Sequence, residues 1–321
     1  MVSLESLDVR RAVLIYNPVA RGLVRHQGSL QRTIGALARQ DIKPELVPTT
    51  GPGSATAQVQ RQIEAGCDLV LAAGGDGTIN EVANGMLGSG VPLGILPGGT
   101  ANVLAREMGM SMRPDRVASQ LRTMKVRSIA IGRLRLDQSA PRNFLCMAGA
   151  GLDADIISRL NLDLKAAAGK LAYYVSGFAQ VVRYLPEFEV TVDGKTHLAS
   201  FALISRVRNY GGDLEIARGA SLLRSDFEVV LFRGNLAVRY VPYLVAVALK
   251  QVHRMHGCSI MRATSVTCRS ASASRIYVQV DGELAGNLPM TAEAVPNALK
   301  LIVPADYERR EVSRSALQVC A

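Results

Sequence analysis

Tryptophan is absent from this chain of 321 residues and aromatic residues make up only 5%, so any core must be built from aliphatic side chains. The cysteines, Cys67, Cys146, Cys258, Cys268 and Cys320, are scattered and form no C-x-x-C pair. That spacing offers neither a zinc site nor a disulfide framework, and it fits reduced cytosolic thiols. His26, His197, His253 and His256 are equally dispersed, without metal spacing or a paired carboxylate. Long hydrophobic runs are missing too. The apolar stretch 241–249 falls far short of the roughly 20 residues a spanning helix needs. The opening MVSLESLDVRR has no apolar segment of the signal-peptide kind. A cytoplasmic location is expected, with any membrane work done at the surface of the inner face. Internal repeats, low-complexity tracts and long linkers are also lacking.

What is present suits a globular protein long enough for two domains, with 48% hydrophobic residues. Lys and Arg outnumber Asp and Glu by 37 to 27, a formal charge of +10. Such a surface attracts nucleotides, anionic lipid headgroups or nucleic acid, and also simply keeps a protein soluble. No Lys/Arg block is interleaved with aromatics, so nucleic acid is the weakest of these partners and is not expected.

The first third alternates apolar strands (11–17, 42–48, 68–74, 93–96) with amphipathic helical stretches (29–40, 55–65, 78–87, 101–108). Alternation at this pace predicts a parallel sheet covered on both faces. Sheets of that kind bind ligands at the carboxyl ends of their strands. From about Val126 the rhythm changes. Helices are expected over 164–185 and 236–253, among the short runs NFLCMA, FEVTV, HLASFALIS, FEVVLF, RIYVQV and ALKLIV. Turn signals such as Asp193-Gly194 and Asp281-Gly282 separate or end several of them, which favours antiparallel sheets in a sandwich or partial barrel. The segment 236–253 is read as packing on that sandwich, with docking on an anionic membrane as the alternative. The expected fold is α/β: a three-layer domain over 1–134, a mainly antiparallel β-sandwich domain over 135–305, and a tail over 306–321.

The strongest chemical signal is GGDGT, Gly74 to Thr78, set between the strand DLVLAA and the helix TINEVANGM. Glycines let the backbone turn sharply and approach a ligand closely. The helix that follows presents unpaired N–H groups and a partial positive charge suited to phosphate. Asp76 would oppose bare phosphate, so a divalent cation or a nucleotide hydroxyl is expected between them. The blander reading is a turn whose Asp caps a helix. Two familiar nucleotide motifs fail here. Asn80 stands where a dinucleotide fingerprint has its third glycine, and Thr100-Ala101 follow Gly94 and Gly99 in place of the Walker Lys and Ser/Thr. A second glycine turn, LPGGTANVLAREM, again joins a strand to a helix, with Thr100 able to cap that helix or meet phosphate. Asn17-Pro18 adds a third loop at a strand end.

Taken together, LIYNP, AAGGDGTINEVANGM, LGILPGGTANVLAREM, MAGAGLDADI, GKLAYYVSGF, NYGG, FEVVLF and VDGELAG make the chain resemble the diacylglycerol kinase catalytic-domain family. That family includes sphingosine kinases and bacterial lipid kinases, and the likeness runs from Arg11 to about Pro304. The resemblance implies a Mg²⁺-dependent lipid kinase of two domains, with ATP bound in the cleft between them. It implies that Gly74, Gly75, Asp76, Gly77, Thr78, Ile79 and Asn80 wrap the ATP phosphates. Asn17, Thr49, Gly98, Gly99 and Thr100 would also contact the nucleotide, and Asp76 would meet the metal held by the phosphates. In the family the Glu of the Asp-Gly-Glu motif is the proposed proton acceptor, so Glu283 is the expected base beside the catalytic Asp76. The acceptor would be a hydroxyl of a lipid such as a diacylglycerol or a sphingoid base, met at the membrane surface.

Three departures from the family pattern stand out. The first loop reads NPVARG, where many members have Ser-Gly, which leaves Arg21 facing either phosphate or solvent. Val103 stands where many members have Asp. Some bacterial members also hold a structural Mg²⁺ with an Asp-Gly before the FEVVLF-like strand. Arg224 and Ser225 occupy those positions here, leaving Asp226 as the remaining carboxylate for a metal. Two rival functions stay open at this point: a kinase of a soluble substrate, of the NAD kinase type, and a catalytically silent protein that binds lipid or nucleotide.

Overall fold

The structure is a computed structural model. It describes residues 2–3, 9–24, 28–137, 139–152, 154, 185–211, 214–235, 242–243, 246–247, 251, 255–270 and 275–319. The helices expected over 164–185 and 236–253 lie almost wholly outside the described residues, as do GKLAYYVSGF, part of MAGAGLDADI, His26, His253 and Cys320. The chain divides into two compact units. One is Met1–Ile131 with Ser221–Ser225 and Pro296–Ala321; the other is Gly132–Ala220 with Asp226–Val295.

In chain order the elements begin with β1 (Val2–Ser3), β2 (Ala12–Tyr16), α1 (Arg21–Val24), α2 (Ser29–Ala38), β3 (Glu45–Pro48) and α3 (Ser54–Glu64). Next come β4 (Leu69–Gly74), α4 (Asp76–Met86), β5 (Pro92–Pro97), α5 (Val103–Glu107), α6 (Pro114–Ser119) and β6 (Lys125–Leu136). The β-rich part holds β7 (Ser139–Phe144), β8 (Met147–Gly151), β9 (Phe188–Val192), β10 (Lys195–Ala199), β11 (Phe201–Ser205), β12 (Asn209–Tyr210) and β13 (Leu214–Glu215). It continues with β14 (Phe227–Phe232), β15 (Cys258–Ala263), β16 (Ser265–Ser270), β17 (Tyr277–Val280), β18 (Glu283–Asn287) and β19 (Met290–Val303), before the closing helix α7 (Ala305–Val319).

The first unit is built on the parallel strands β5-β4-β2-β3. Every residue of β4 and β5 is buried, as expected of strands covered on both faces. The helices pack as the pairs α2–α6 and α3–α4, with α4 against β4 and α6 against β5. The strand expected over 42–48 shortens to β3. It is the last strand in the order, and Glu45, Leu46 and Pro48 are exposed. The run ALKLIV corrects a second expectation. Its Lys300 and Leu301 pair in parallel with Pro92 and Leu93 of β5, so this end of β19 completes the α/β sheet rather than the sandwich. Helix α7 (Ala305–Val319) takes up most of the tail expected over 306–321.

The second unit is a sandwich. One sheet runs β15-β14-β11-β8-β17-β18, with antiparallel pairing throughout. The other contains β10-β9-β16 and the start of β19, together with the β6–β7 hairpin. Their inward side chains form one aliphatic core that includes Leu134, Val190, Val229, Val266 and Val278. Phe144 stacks on Phe227 within it at 5.7 Å between ring centroids. The run NFLCMA is not one strand. It breaks after Phe144 because the amides of Leu145 and Cys146 turn toward the Asp281 carboxylate.

Candidate active site

Three loops at the carboxyl ends of β2, β4 and β5 are tied to one another by backbone. Asn17 donates its N–H to the Ala73 carbonyl at 2.9 Å, Gly98 donates to Gly74 at 2.8 Å, and Gly22 donates to Gly98 at 2.7 Å. This closeness depends on glycine. A Cβ on Gly99 would lie 2.4 Å from the Cα of Gly75, and one on Gly22 would lie 2.8 Å from the Gly98 oxygen. The loops therefore present bare backbone where side chains would otherwise stand. Helix α4 begins at once, with Gly75 as its cap residue and no side chain closing its N-terminus. Bare amides and a positive helix end together suit a phosphate group.

Asp76 is turned inward. Its Oδ1 accepts the backbone N–H of Val103 at 2.7 Å. Burial raises its carboxyl above the usual carboxylate range, against the opposing pull of the amides of Val103, Leu104 and Asn102. The carboxylate thus caps the start of α5, joining the first glycine turn to the second. The bland reading of Asp76 as a helix cap holds in part, but the helix is α5 and not its own. Thr100 is exposed and does not cap α5. The residue before the helix is Asn102, in the left-handed region at φ 48°. Its side chain closes the PGGT turn from within, accepting from Gly99 N at 2.8 Å and donating to Gly99 O at 2.9 Å.

The remaining candidates of the first unit fall in two groups. Asn17, Gly74, Gly75, Gly98 and Gly99 line the knot of loops, and Thr49 joins it by donating its N–H to Tyr16 O at 2.8 Å. Gly77 is exposed in the first turn of α4. Thr78 lies over Gly74, whose hypothetical Cβ would sit 2.7 Å from the threonine Cβ. Ile79 is 1% exposed and its N–H is given to the Gly75 carbonyl. Its side chain belongs to the core and has nothing to offer a nucleotide. Asn80 accepts from Asn84 Nδ2 at 3.1 Å. Sequence reasoning missed Glu81, whose carboxylate accepts from Gly53 N at 2.8 Å and Ala55 N at 3.2 Å. That contact anchors the start of α3, just after Thr49, to α4.

The second carboxylate turn, Asp281-Gly282-Glu283, belongs to the other unit. Asp281 sits at φ 47°, and its carboxylate accepts the amides of Leu145, Cys146 and Met147 at 3.0, 3.0 and 2.8 Å. Gly282 N donates to the buried Gln279 Oε1 at 2.9 Å. Glu283 opens β18 with its side chain 66% exposed, paired to Arg142. A turn held at three points with a projecting glutamate can present a carboxylate to a proton donor.

The metal assignments fit less well. Asp226 faces Arg262, whose Nη1 lies 3.5 Å from its Oδ1, while Arg262 Nη2 donates to Gly219 O at 3.0 Å. Glu228 alongside accepts from Gly219 N at 2.7 Å and Ala220 N at 3.0 Å. A guanidinium beside Asp226 already supplies positive charge there, a surrounding that fits a metal ion poorly. Asp76 has an oxygen committed to α5. Among the described residues no group of three or more His, Cys, Asp or Glu side chains can hold a metal ion.

A parallel α/β unit with glycine turns joined at its strand ends is linked in one chain to an antiparallel sandwich. Known proteins narrow the class. Residues 11–134 match the diacylglycerol kinase catalytic domain, and residues 146–303 match the YegS C-terminal NAD kinase beta sandwich-like domain. A diacylglycerol kinase of Bacillus subtilis is 29% identical over 289 residues, covering 88% of this chain and 92% of its own length. A diacylglycerol kinase of Mycobacterium tuberculosis is 26% identical over 306 residues, covering 92% and 96%. A solved structure of a diacylglycerol kinase from Bacillus anthracis shares the fold, with a TM-score of 0.75 at 20% identity over 94% of this chain and 99% of that one. The two domain matches and the relatives of similar length make the chain similar to bacterial diacylglycerol kinases, and that likeness makes it a kinase.

Proposed function

We propose that this kinase transfers the γ-phosphoryl group of ATP to a hydroxyl of a membrane lipid. The observation that carries the reading is the backbone knot of three glycine-containing loops at adjacent strand ends. It holds the uncapped start of α4 open at the strand ends, where a triphosphate can meet it. Gly74, Gly75, Gly77, Thr78, Asn80, Gly98, Gly99 and Thr100 would line the phosphates, with Asn17 and Thr49 at the margin of the nucleotide. Asp76 would act mainly by holding the two glycine turns together. A Mg²⁺ ion accompanying ATP would be held chiefly by the phosphates and would neutralise charge on them.

Glu283 is the proposed proton acceptor. A lipid hydroxyl is a weak nucleophile, and a carboxylate that accepts its proton as the new P–O bond forms lowers the barrier by about two to four orders of magnitude in rate. Positioning and charge neutralisation supply most of the remainder. Among the described residues no helix is long and apolar enough to cross a membrane. The net charge of +10 favours a chain that meets anionic lipid from the cytoplasmic side.

The test is to incubate the protein with γ-labelled ATP, Mg²⁺ and mixed vesicles of diacylglycerol, sphingosine and phosphatidylglycerol, then extract into organic solvent. Label in the organic phase that disappears with Glu283→Gln is expected. Label confined to the aqueous phase would favour a soluble acceptor, and no transfer at all would favour a silent binding protein.

A further inference from the structure

Arg142, on β7, divides its guanidinium between two acceptors of the second carboxylate turn. Nη2 donates to Glu283 Oε2 at 3.0 Å and Nη1 to the Leu284 carbonyl at 3.3 Å. Two-point contact fixes orientation as well as distance, which a single ammonium does not do. The contact sits in a built frame. The stretch that follows Arg142 supplies the three amides that grip Asp281. On β18, Gly286 lies so near the β6–β7 hairpin that a Cβ there would come within 2.9 Å of Leu136 Cδ1. The hairpin that bears Arg142 therefore packs closely on the strand that bears Glu283. Among the described residues Glu283 Oε1 takes no hydrogen bond.

We propose that Arg142 is the positioning residue for Glu283, holding one carboxylate oxygen so that the other is presented as the proton acceptor. This rests on the reading of Glu283 as the base. In the transfer step the lipid O–H bond breaks and its proton passes to Glu283 Oε1. The freed electron pair forms the bond to the γ-phosphorus, and the bridging P–O bond breaks with its pair leaving on ADP. Glu283 then returns the proton to water. Without the guanidinium the carboxylate swings through several rotamers, and misplacing a reacting group by about 1 Å costs on the order of a hundredfold in rate. The same pair contributes little to stability, because an exposed ion pair is worth only about 0–1 kcal/mol. A positioning role and a structural role therefore separate cleanly.

The experiment compares Arg142→Ala, Arg142→Lys and Glu283→Gln in the full chain, with mixed micelles of diacylglycerol, sphingosine and phosphatidylglycerol as acceptor. Arg142→Ala is expected to lower kcat by about tenfold or more, with KM for ATP and the melting temperature nearly unchanged. Arg142→Lys should recover part of the loss. Millimolar guanidinium should restore Arg142→Ala but not Glu283→Gln. Wild-type kcat in Arg142→Ala beside an inactive Glu283→Gln overturns the role of Arg142 alone. A loss that tracks a lowered melting temperature and resists guanidinium overturns it as well. Full turnover in Glu283→Gln overturns the base itself.

Discussion

The Asp76 carboxylate receives the backbone N–H of Val103 across 2.7 Å, so the residue at the heart of one glycine turn is the cap of the helix behind the other. Removing it should uncouple the turns. Asp76→Ala is expected to cost about 0.5–2 kcal/mol in urea unfolding, the usual value of a lost helix cap. Asp76→Asn keeps an acceptor oxygen and should cost less. Burial raises the Asp76 carboxyl, so the folded state binds that proton more tightly than the unfolded chain. Its contribution therefore declines as pH climbs through the folded value. As pH rises above the usual carboxylate range, the stability of Asp76→Asn should improve relative to wild type. A difference that does not change with pH would contradict this.

The near-contact of Gly75 and Gly99 makes a sharper demand. Gly99→Ala sets a methyl 2.4 Å from the Gly75 Cα, and the turns must part to admit it. Overpacking of this kind costs about 1–3 kcal/mol, and the separated loops lose their shared grip on phosphate. A raised KM for ATP together with a lowered melting temperature is expected. Gly51→Ala, with nothing within 4 Å of its new methyl, is the control that should change neither.

Arg262 supplies positive charge beside Asp226 in the sandwich. Arg262→Ala leaves Asp226 and the buried Glu228 without their shared cation, a loss of about 2–4 kcal/mol after allowance for partial exposure. Burial already raises the Glu228 carboxyl, with Arg262 opposing the rise. The loss should therefore grow as pH rises above the usual carboxylate range, since an elevated carboxyl is a liability once ionised. In wild-type protein without nucleotide, neither Mg²⁺ nor a chelator should move the melting temperature. A Mg²⁺-dependent rise would restore Asp226 as a ligand.

The thiols should be quiet. Burial pushes Cys258 up to about 12, with Glu228 adding to the rise. Cys67 is raised as well, first by burial, and Cys268 is raised by burial alone. Against a Cys320→Ser background, native protein at pH 8 should react slowly with an aromatic disulfide reagent, and denaturant should release all four remaining thiols together. Rapid labelling of any one before unfolding would reveal a looser packing of the unit that holds it.

Much of this was legible in the sequence because the signals were local. The strands β4 and β5 read as uninterrupted apolar runs, and each glycine turn sits between a strand and a helix in plain order. What escaped notice depends on partners remote in sequence. Nothing near Glu81 announces the amides of Gly53 and Ala55, and nothing near Asp76 announces Val103. The break in NFLCMA is dictated by Asp281, more than a hundred residues downstream. ALKLIV has the alternation of a sandwich strand, and only its neighbour, the buried parallel strand β5, shows which sheet it serves. Nothing in the sequence around Arg142 points to Glu283, its partner 141 residues away.

The pairing of Lys300 and Leu301 with β5 has a practical outcome for anyone cutting this gene. A fragment stopped at residue 134, where the catalytic-domain match ends, would carry the glycine turns but leave β5 as a raw edge, an invitation to aggregation. It would also lack Tyr307, whose hydroxyl donates to Glu107 of α5 and accepts from Leu222. During synthesis the parallel sheet of the first unit stays incomplete until the end of β19 has emerged from the ribosome.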